Sequence, residues 1–360
     1  MGRLEQPHPH PSPPLEREGG KSGDARKLQP RLHPSPPLEE EGEKPRILLA
    51  PMEGFADDVL RDVLTRIGGY DWCVCAFIRI SGNVLPRRAF FNACPELQHG
   101  SRTAAGTPVR VQLMGCDPAL LAANAARLAG MAPAGIDLNF GCPAPLVNEH
   151  GGGAALLDDP ERMHCIAAAV RQVVPQGMPY SAKMRLGVSD PGRAVECAQA
   201  LAAGGVDELV VHGRTRDDFY RPPARYAWIA RVREAVDVPV IANGEIWNPA
   251  DAARCRAETG CADLMLGRGA AADPFLARRL RGEAVPGWEE GMAPALAQFW
   301  NVVRRKVLPC HAPGRLKQWL GTLRHAWPQA EMLHRQIRPL RRPQDIDAVL
   351  RAMGVRLEWA

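Results

Sequence analysis

The sequence lacks the features that mark membrane and secreted proteins. No stretch approaches the roughly 18 uninterrupted apolar residues that a transmembrane helix needs, and the N-terminus does not show the charged, then apolar pattern of a signal peptide. With 46% apolar and 24% charged positions over 360 residues, the composition is that of a soluble globular protein with one large domain and a smaller one. We therefore expect a cytoplasmic protein that does not enter a membrane.

The ten cysteines are arranged neither as a disulfide framework nor as a metal site. They are scattered through apolar segments, without Cys-x-x-Cys pairs or His clusters at metal-ligand spacing. Cys73 and Cys75 stand two apart in a strand-like run, so both point to one face, where core packing is commoner than metal binding. We predict no metal.

Residues 1–44 are rich in proline, glycine and charge, and they contain a near-duplicate. The string HPSPPLEREG at 10–19 recurs as HPSPPLEEEG at 33–42. Such a segment cannot bury enough apolar surface to offset the entropy lost on ordering it, so we predict a disordered extension. A proline-rich ligand for a partner domain is the less favoured interpretation, because nothing later in the chain depends on it.

From residue 46 onward, short apolar runs of strand length alternate with segments of helical periodicity. Three helical segments begin with Asp-Pro or Asn-Pro, which combines an N-cap residue with proline at the first helical position. Eight strand and helix units in this order predict an α/β fold, a (β/α)8 TIM barrel, over residues 45–286. The runner-up, an open doubly wound sheet, lacks its Gly-x-Gly-x-x-Gly fingerprint after the first strand. The predicted strands span 47–51, 73–80, 109–113, 136–140, 180–186, 208–212, 240–243 and 264–267.

Polar residues stand at the ends of these predicted strands. Because the carboxyl ends of all barrel strands meet at one face, their side chains should converge on one mouth. Taken singly, each of these residues could have a purely structural role. Lys183 could form an ion pair in the barrel, and His212 could be a hydrogen-bonded core histidine. The residues concerned are Glu53, Gln112, Asn139, Cys142, Lys183, Arg185, His212, Arg214, Asn243, Glu245 and Arg268.

Glycines follow the last two predicted strands, with Gly244 after the seventh and the string GRG at 267–269 after the eighth. Backbone amides in these loops commonly bind phosphate in such barrels, so we expect a phosphorylated ligand. Lys183 and Gln112, within strands, could hydrogen-bond a flat polar ring that lies over the mouth. The combination suits flavin mononucleotide (FMN).

Cys142 stands on the loop after the fourth predicted strand, where its thiol could reach a substrate. Gly141 lets the backbone approach a ligand closely, and Pro143 restricts the chain. On this ground alone, an inert buried thiol and a reactive one are equally favoured. The position at the mouth favours the reactive thiol, and a group with an ordinary pKa of about 8.5 is mostly protonated near neutral pH, as a general acid must be.

The segment 292–360 differs from the barrel in charge, with twelve Lys and Arg against four Asp and Glu. Helical periodicity over 296–308, 314–327 and 329–340 predicts a small all-helical domain, which we place at 287–360. Helical charges usually form a solvated face. Here the size of the excess, with Trp319 and Trp327 interleaved, favours contact with a nucleic-acid backbone.

The strings at these positions resemble those of one enzyme family. Residues 46–360 are similar to the bacterial tRNA-dihydrouridine synthases, in detail to the C type, which reduces uridine 16 in the D-loop of tRNA. The C-type similarity is longest at NGEIW (243–247) and RLKQWL (315–320). The other matching strings are APMEG at 50–54, VQL at 111–113, DLNFGCP at 137–143, GGGA at 151–154, KMRLG at 183–187, HGRT at 212–215 and GRG at 267–269.

The resemblance implies tightly bound FMN, with NADPH or NADH as the reductant. It also implies that the reduced flavin passes a hydride to C6 of the uracil while Cys142 protonates C5. The implied FMN contacts are Pro51, Met52 and Glu53 near the ring, Gln112 and Lys183 at its polar edge, His212 nearby, and Asn243, Gly244, Glu245, Gly267 and Arg268 around the ribityl chain and phosphate.

The implied partner is tRNA, whose target base must leave the RNA stack to lie on the flavin, and we expect a monomer. Two departures from the family pattern stand out: residues 144–150 lack the usual lysine after Cys-Pro, and Thr322 replaces a larger aromatic residue. The matching tRNA-contacting positions are Arg79, Asn139 and Tyr220 around the mouth, and Arg315, Lys317, Thr322 and Arg338 in the helical domain.

Two other functions compete with this one. A small-molecule FMN barrel, such as a dihydroorotate or enoate reductase, shares the cofactor and the barrel but gives no role to the basic helical domain. A non-catalytic RNA-binding protein on a relic barrel would need neither the flavin nor the thiol of Cys142.

Overall fold

The computed structural model describes residues 44–358, which form one compact unit. The extension predicted to be disordered lies, but for its last residue, outside this range. Among the described residues, no helix has the length and apolar character needed to cross a membrane. Nor does this part of the chain gather three or more His, Cys, Asp or Glu side chains that could hold a metal ion.

Parallel strands close into a barrel, so the predicted TIM barrel is confirmed. The strands are β1 Ile47–Leu49, β2 Trp72–Val74, β3 Ile78–Arg79, β4 Val109–Met114, β5 Ile136–Phe140, β6 Tyr180–Arg185, β7 Glu208–His212, β8 Val240–Asn243 and β9 Leu264–Leu266. Strand β1 pairs with β9 on one side and with β2 on the other, and β2 pairs with β4. These pairings close the sheet on itself.

The second predicted strand, residues 73–80, is divided in two. Both pieces pair with β4: Cys73 of β2 lies opposite Val109, and Ile78 of β3 lies opposite Leu113. The two short strands therefore share one position in the barrel, which keeps its eightfold arrangement. In the gap between them, Phe77 lines a cavity at the strand ends.

Alternate residues of the strands face two apolar environments, as the two-residue repeat of a strand requires. Leu48, Val210, Ile241 and Met265 pack with one another inside the barrel. Their neighbours in sequence, such as Leu49, pack outward in the core between strands and helices. The strands therefore present a filled interior below the mouth.

Helices follow the strands and cover the barrel. The three predicted Asp-Pro and Asn-Pro starts are confirmed, because the side chains of Asp117, Asp159 and Asn248 each accept a hydrogen bond from the backbone N–H three residues on. The helices of this part are α1 Asp58–Ile67, α2 Arg87–Ala93, α3 Pro118–Ala129, α4 Pro145–Asn148, α5 Pro160–Arg171, α6 Ala194–Ala203, α7 Tyr226–Glu234, α8 Pro249–Thr259, α9 Arg268–Ala272 and α10 Leu276–Leu280, with 3-10 turns Pro95–His99 and Gly153–Asp158.

The described residues after the barrel are helical, as predicted. After a π-helical turn, Trp288–Met292, come α11 Ala293–Lys306, α12 Ala312–Leu323, α13 Pro328–Ile337 and α14 Pro343–Ala352. The first three match the predicted helical runs, whereas α14 was not foreseen. The apolar faces of all four helices belong to the same core as the outer side of the barrel.

Trp319 is not on a nucleic-acid face, so the prediction that it supports one is wrong, whereas Trp327 is partly buried. Trp319 is fully buried, with its ring centroid 4.7 Å from that of Phe299 and its Nε1 donating to the Ala271 carbonyl at 3.1 Å. The centroid of the Trp327 ring lies 6.1 Å from that of Phe275, in the barrel part of the chain. Both rings pack the helical segment onto the barrel.

Candidate active site

The carboxyl ends of the strands surround a cavity of about 300 Å³. Every residue predicted to contact the cofactor lines it, and so do Asn139, Cys142 and Tyr220. The strand ends therefore converge on one mouth. Further side chains that line this cavity are Phe55, Phe77, Arg185, Arg214, Ile246 and Trp247.

A chain of hydrogen bonds between neighbouring strands orients the amides on the cavity floor. Ser181 Oγ donates to one carboxylate oxygen of Asp137 at 2.6 Å, and Gln112 Nε2 donates to the other at 2.6 Å. Gln112 Oε1 in turn accepts from Asn139 Nδ2 at 2.7 Å. Burial raises the pKa of Asp137, although the hydrogen bonds from Gln112 and Ser181 act in the opposite direction. Sequence reasoning missed this carboxylate, for which a charge within an apolar strand was the available signal.

The loop after β5 holds Cys142 at the cavity wall. Asn139 Oδ1 accepts hydrogen bonds from the N–H groups of Gly141 and Cys142, both at 2.9 Å. On the other side, Asn148 Nδ2 donates to the Cys142 carbonyl at 3.0 Å. A Cβ on Gly153 would lie 2.9 Å from the same carbonyl oxygen, so the loop packs too closely for a side chain there. The role of Asn148 could not be foreseen from the sequence, because it depends on this turn.

The Cys142 side chain lies in an apolar corner of the cavity. It packs with Met114 and Val147, with Phe77 beside them, and the residue is 9% exposed. Burial raises the pKa of the Cys142 thiol, and the nearby carboxylate of Glu53 raises it further. The thiol is therefore protonated at neutral pH, which is the state that a general acid needs.

Lys183 and His212 reach the cavity from β6 and β7. Lys183 Nζ donates to Asn243 Oδ1 at 3.0 Å. Burial lowers the pKa of Lys183 to about 7, and the charge of Arg185 lowers it as well. Burial and the surrounding cations, Arg185 first, lower the pKa of His212 well below its usual range, so its imidazole is neutral. Crowded cations of this kind favour an anionic ligand.

Arg185 joins two loops at the mouth. Its Nε donates to the Gly141 carbonyl at 2.8 Å, beside the candidate thiol. Its Nη1 donates to the carbonyls of Thr215 at 2.8 Å and Phe219 at 2.7 Å, in the loop after β7 that we call the entrance loop (residues 213–225). One buried guanidinium thus fixes the loop that carries Cys142 (residues 141–148, the thiol loop) relative to the entrance loop.

Gly244 and Glu245 bring the backbone close to the cavity after β8. Gly244 has φ +119°, and a Cβ there would lie 2.9 Å from His212 Cδ2. Glu245 also has a positive φ, +57°, and its carboxylate pairs with Arg214. Burial lowers the pKa of Arg214 to about 10, and so does the charge of Arg268. The tight backbone and the buried arginine form one wall of the cavity.

Two of the three tRNA-contacting residues predicted around the mouth line the cavity. Asn139 lies on its floor, where it orients the thiol loop. Tyr220 stands at the rim, 49% exposed, with its ring centroid 5.3 Å from the Arg185 guanidinium and 4.7 Å from that of Arg268. Arg79 does not line this cavity, because it ends β3 beside a second pocket.

Arg315, one of the predicted tRNA contacts in the helical segment, is engaged within the protein. Its guanidinium pairs with Asp57 at 2.6 Å and donates to the Phe55 carbonyl at 3.0 Å. Gln318, on the same helix, donates through Nε2 to the Gly54 carbonyl at 2.9 Å. We call Arg315 and Gln318 the loop clamp, because they hold the β1–α1 loop that lines the cavity.

The other three predicted contacts of the helical segment also lie outside the cavity. Lys317 Nζ donates to the Leu340 carbonyl, and the Thr322 hydroxyl donates to the Gln318 carbonyl at 3.4 Å. Arg338 is exposed and has no ion pair with any other residue of 44–358. Of the four, Arg338 is thus the cation most open to a partner.

The family model described as dihydrouridine synthase (Dus) matches residues 48–336. The chain belongs to the dihydrouridine synthase family. Members of this family are flavin-dependent oxidoreductases that modify tRNA. The resemblance predicted from the sequence is thereby confirmed, and it favours a dihydrouridine synthase over a small-molecule flavin barrel and over a non-catalytic binding protein.

Relatives of this dihydrouridine synthase carry a more specific name. The tRNA-dihydrouridine(16) synthase of Ralstonia nicotianae is 53% identical over 309 residues, which is 85% of this chain and 95% of the relative. The proteins of that name from Cupriavidus necator and Pseudomonas putida are 53% and 49% identical, each over 86% of this chain and 97% of the relative. A solved 2-naphthoyl-CoA reductase aligns at 13% identity over 66% of this chain and 50% of its own, with a TM-score of 0.49, too remote to bear on function.

Proposed function

We propose that this dihydrouridine synthase reduces the C5=C6 bond of uridine 16 in the D-loop of tRNA, giving 5,6-dihydrouridine. Relatives about half identical over nearly their full length are named for position 16. Within the chain, the proposal rests on Cys142, a protonated thiol fixed at the wall of a cavity whose other polar groups are mainly amides and cations. Such a cavity can hold an anionic ligand and deliver a proton beside it.

FMN is the proposed cofactor, and the residues present fit it. Lys183, Gln112 and Asn139 line the cavity, and each has N–H protons beyond the one hydrogen bond that it donates within the protein, which suits the polar edge of a flat ring. Gly244 and Gly269 leave room for backbone only, since a Cβ on Gly269 would collide with the Ile246 carbonyl oxygen. The side chain of Arg268 and the first two backbone N–H groups of α9, those of Arg268 and Gly269, suit a phosphate.

The contribution of the chain itself to the chemistry is a proton. When bound, reduced FMN supplies a hydride to C6 of the uracil, with electrons drawn from NADPH or NADH. The thiol of Cys142 gives its proton to C5, and the resulting thiolate regains a proton from water. Asn139 and Asn148 hold the thiol in position, and Phe77 limits the access of water to it.

We further propose that residues 287–360 form the tRNA-binding domain. Arg338 and Arg341 are exposed there and have no ion pair with any other residue of 44–358, so both are open to RNA phosphates. Contacts of this kind release counterions, so the affinity for tRNA should fall steeply as salt rises. Truncation would expose the buried Trp300 and Trp319, so this role is better tested by substituting the two arginines.

The proposal is tested by mapping dihydrouridine in tRNA from cells with and without this gene. We expect the modification at position 16 to vanish in the deletion strain and to return with the wild-type gene, whereas dihydrouridine at other positions serves as the internal control. Loss at a different position would overturn the assigned uridine. Unchanged dihydrouridine at every position would overturn the activity.

A further inference from the structure

Two aromatic side chains stand side by side at the entrance of the cavity. Phe219 is 48% exposed and Tyr220 is 49% exposed. Tyr220 lines the cavity, whereas Phe219 contacts Arg185 of the cavity through its backbone carbonyl. Across residues 44–358, these two are the only aromatic members of the exposed large apolar side chains.

Folding does not explain a phenylalanine at position 219. Its φ is +49°, in the left-handed region that bulky residues seldom occupy. Glycine or asparagine would adopt the same turn with less strain, and the exposed half of an apolar ring adds nothing to stability. An outlier of this kind beside an active site points to a role in binding or catalysis.

The entrance loop is built to hold Phe219 in place. Arg185 donates to its carbonyl at 2.7 Å, and its own N–H donates to the Arg216 carbonyl at 2.9 Å. On the preceding residue, the Asp218 carboxylate accepts from the Thr215 N–H at 2.9 Å. A half-exposed ring is thus presented from a fixed backbone, which reduces the entropy lost when it makes a contact.

Arginines are near Phe219 in the chain and lie around its neighbour Tyr220. Arg216 and Arg221 lie on the same loop, and the guanidinium groups of Arg185 and Arg268 flank the neighbouring Tyr220. Arg216 pairs with Asp217 and Arg225 pairs with Asp218, whereas Arg221 is exposed and has no carboxylate partner among residues 44–358, so the loop keeps a positive charge. An aromatic face among cations matches single-stranded RNA, whose bases stack on aromatic rings and whose phosphates are anionic.

We propose that Phe219 stacks on a base of the RNA substrate that neighbours the target uridine. The proposal rests on the proposed function, because it takes tRNA as the substrate. A base that enters the cavity must leave its stack, so the adjacent base loses a stacking partner. Phe219, one residue from the cavity lining, supplies a replacement. It positions the substrate and takes no part in the chemistry.

Substitutions at position 219 distinguish the effect of a stacking aromatic ring from the effects of apolar bulk and of backbone strain. Phe219→Gly removes the ring and relieves the strain, Phe219→Leu keeps apolar bulk without an aromatic face, and Phe219→Tyr keeps the ring. Val84→Ala is the control, since Val84 is 37% exposed on a loop that does not line the cavity. The measurements are KM and kcat of the holoenzyme on unmodified tRNA, and the rate of flavin reduction by NADPH without tRNA.

We expect Phe219→Gly and Phe219→Leu to raise KM for tRNA about 5- to 150-fold, the range that loss of one base–aromatic stack represents. Flavin reduction without tRNA should stay unchanged in all variants, which also shows that they are folded. Phe219→Tyr should restore KM to near the wild-type value, and Val84→Ala should leave it unaltered.

A wild-type KM in the Gly variant would show that the ring makes no contact, and a wild-type KM in the Leu variant would reduce its role to apolar bulk. Either result overturns the proposal. If the Gly variant does not fold, the comparison of Leu with Tyr still decides. Wild-type enzyme that forms no dihydrouridine would overturn the proposed function itself, whereas active wild-type enzyme with unaffected variants would overturn only the stacking role.

Discussion

The two ends of the barrel differ in how fully their cations are paired with carboxylates. At the closed end, where the strands begin, Arg46 pairs with Glu208 at 2.8 Å and with Asp263 at 2.7 Å. Arg110 pairs with the other carboxylate oxygen of Glu208, and its guanidinium lies 3.6 Å from a ring centroid of Trp72. Each of these cations has a carboxylate partner within the protein.

At the open end the balance is different. The carboxylates of Glu53 and Glu245 are outnumbered there, and cations lower the pKa values of Lys183 and His212 beyond the effect of burial. The basic side chains that line this end are Lys183, Arg185, His212, Arg214 and Arg268. Removing one partner from a charge cluster that is complete within the protein destabilises the fold, whereas an incomplete cluster favours an anionic ligand. Substitutions at the closed end should therefore change stability, whereas those at the open end should change ligand binding or catalysis.

The largest effect is expected at the open end, from the one side chain proposed to act in the chemistry. Cys142→Ala should slow dihydrouridine formation by a factor of about 10²–10⁴, because general acid catalysis is lost. Flavin content and its reduction by NADPH should persist. Mass spectrometry of the tRNA product and bleaching of the flavin absorbance measure the two steps separately. Full turnover in this variant would remove Cys142 from the mechanism.

At the closed end the expected effect is on stability alone. Glu208→Gln should lower the free energy of unfolding by about 3–5 kcal/mol, because buried Arg110 loses its counterion. Urea denaturation measures the change, with Glu196→Gln in an exposed ion pair as the control that should stay at the wild-type midpoint. A variant of full stability that loses flavin would contradict the assignment of this end to folding.

Lys183→Met at the open end should weaken cofactor binding without lowering stability. The affinity for FMN should fall about 10- to 150-fold, as expected when a hydrogen bond from a charged group is lost. The apoprotein should be no less stable than the wild type, because a crowded, desolvated ammonium has been removed. Flavin titration and urea denaturation of the same preparation test both halves. A loss of stability as large as that in Glu208→Gln would remove the distinction between the two ends.

The last prediction is a pH dependence, whose slope is at most about 1.4 kcal/mol for each pH unit. The pKa of Lys183 is about 7 in the folded protein, against an ordinary value of 10.5, so between these values the unfolded chain binds more protons. The stability of the apoprotein should therefore rise with pH across this window. As pH falls towards 7, this stability is lost, because Lys183 must be buried in its protonated form. Urea midpoints at several pH values measure the slope, which should be shallower in Lys183→Met. Equal slopes would show that Lys183 is not titrating there.

Much of the fold could be predicted because its signals are local. The apolar runs of the strands and the capping residues Asp117, Asp159 and Asn248 each act within a few residues of their own position. The division of the second strand could not be read this way, because it depends on pairing with β4. Trp319 was misjudged although Leu316, Leu320 and Leu323 place it on an apolar helical face, which was a sufficient signal.

For the site, the chemical types of the residues were predictable but their partners were not. The strand-end rule together with the family resemblance identified the lining, including Lys183 and Asn243. Sequence reasoning did not predict that Asp137 lies beneath Gln112. Nor did it predict the ion pair between Arg315 and Asp57, because these residues are more than 250 positions apart in the chain. The strained backbone of Phe219 likewise has no local sequence signal.

The loop clamp limits how such enzymes can be recombined. Arg315 and Gln318 grip the main chain of Gly54 and Phe55 from a helix that follows the entire barrel in sequence. A chimera that joins this barrel to another helical segment would release the cavity loop unless that segment carried counterparts of Arg315 and Gln318. Exchanges designed to redirect the enzyme to another uridine should therefore take residues 54–57 and 315–318 from the same parent, which a crossover at the end of the barrel does not do.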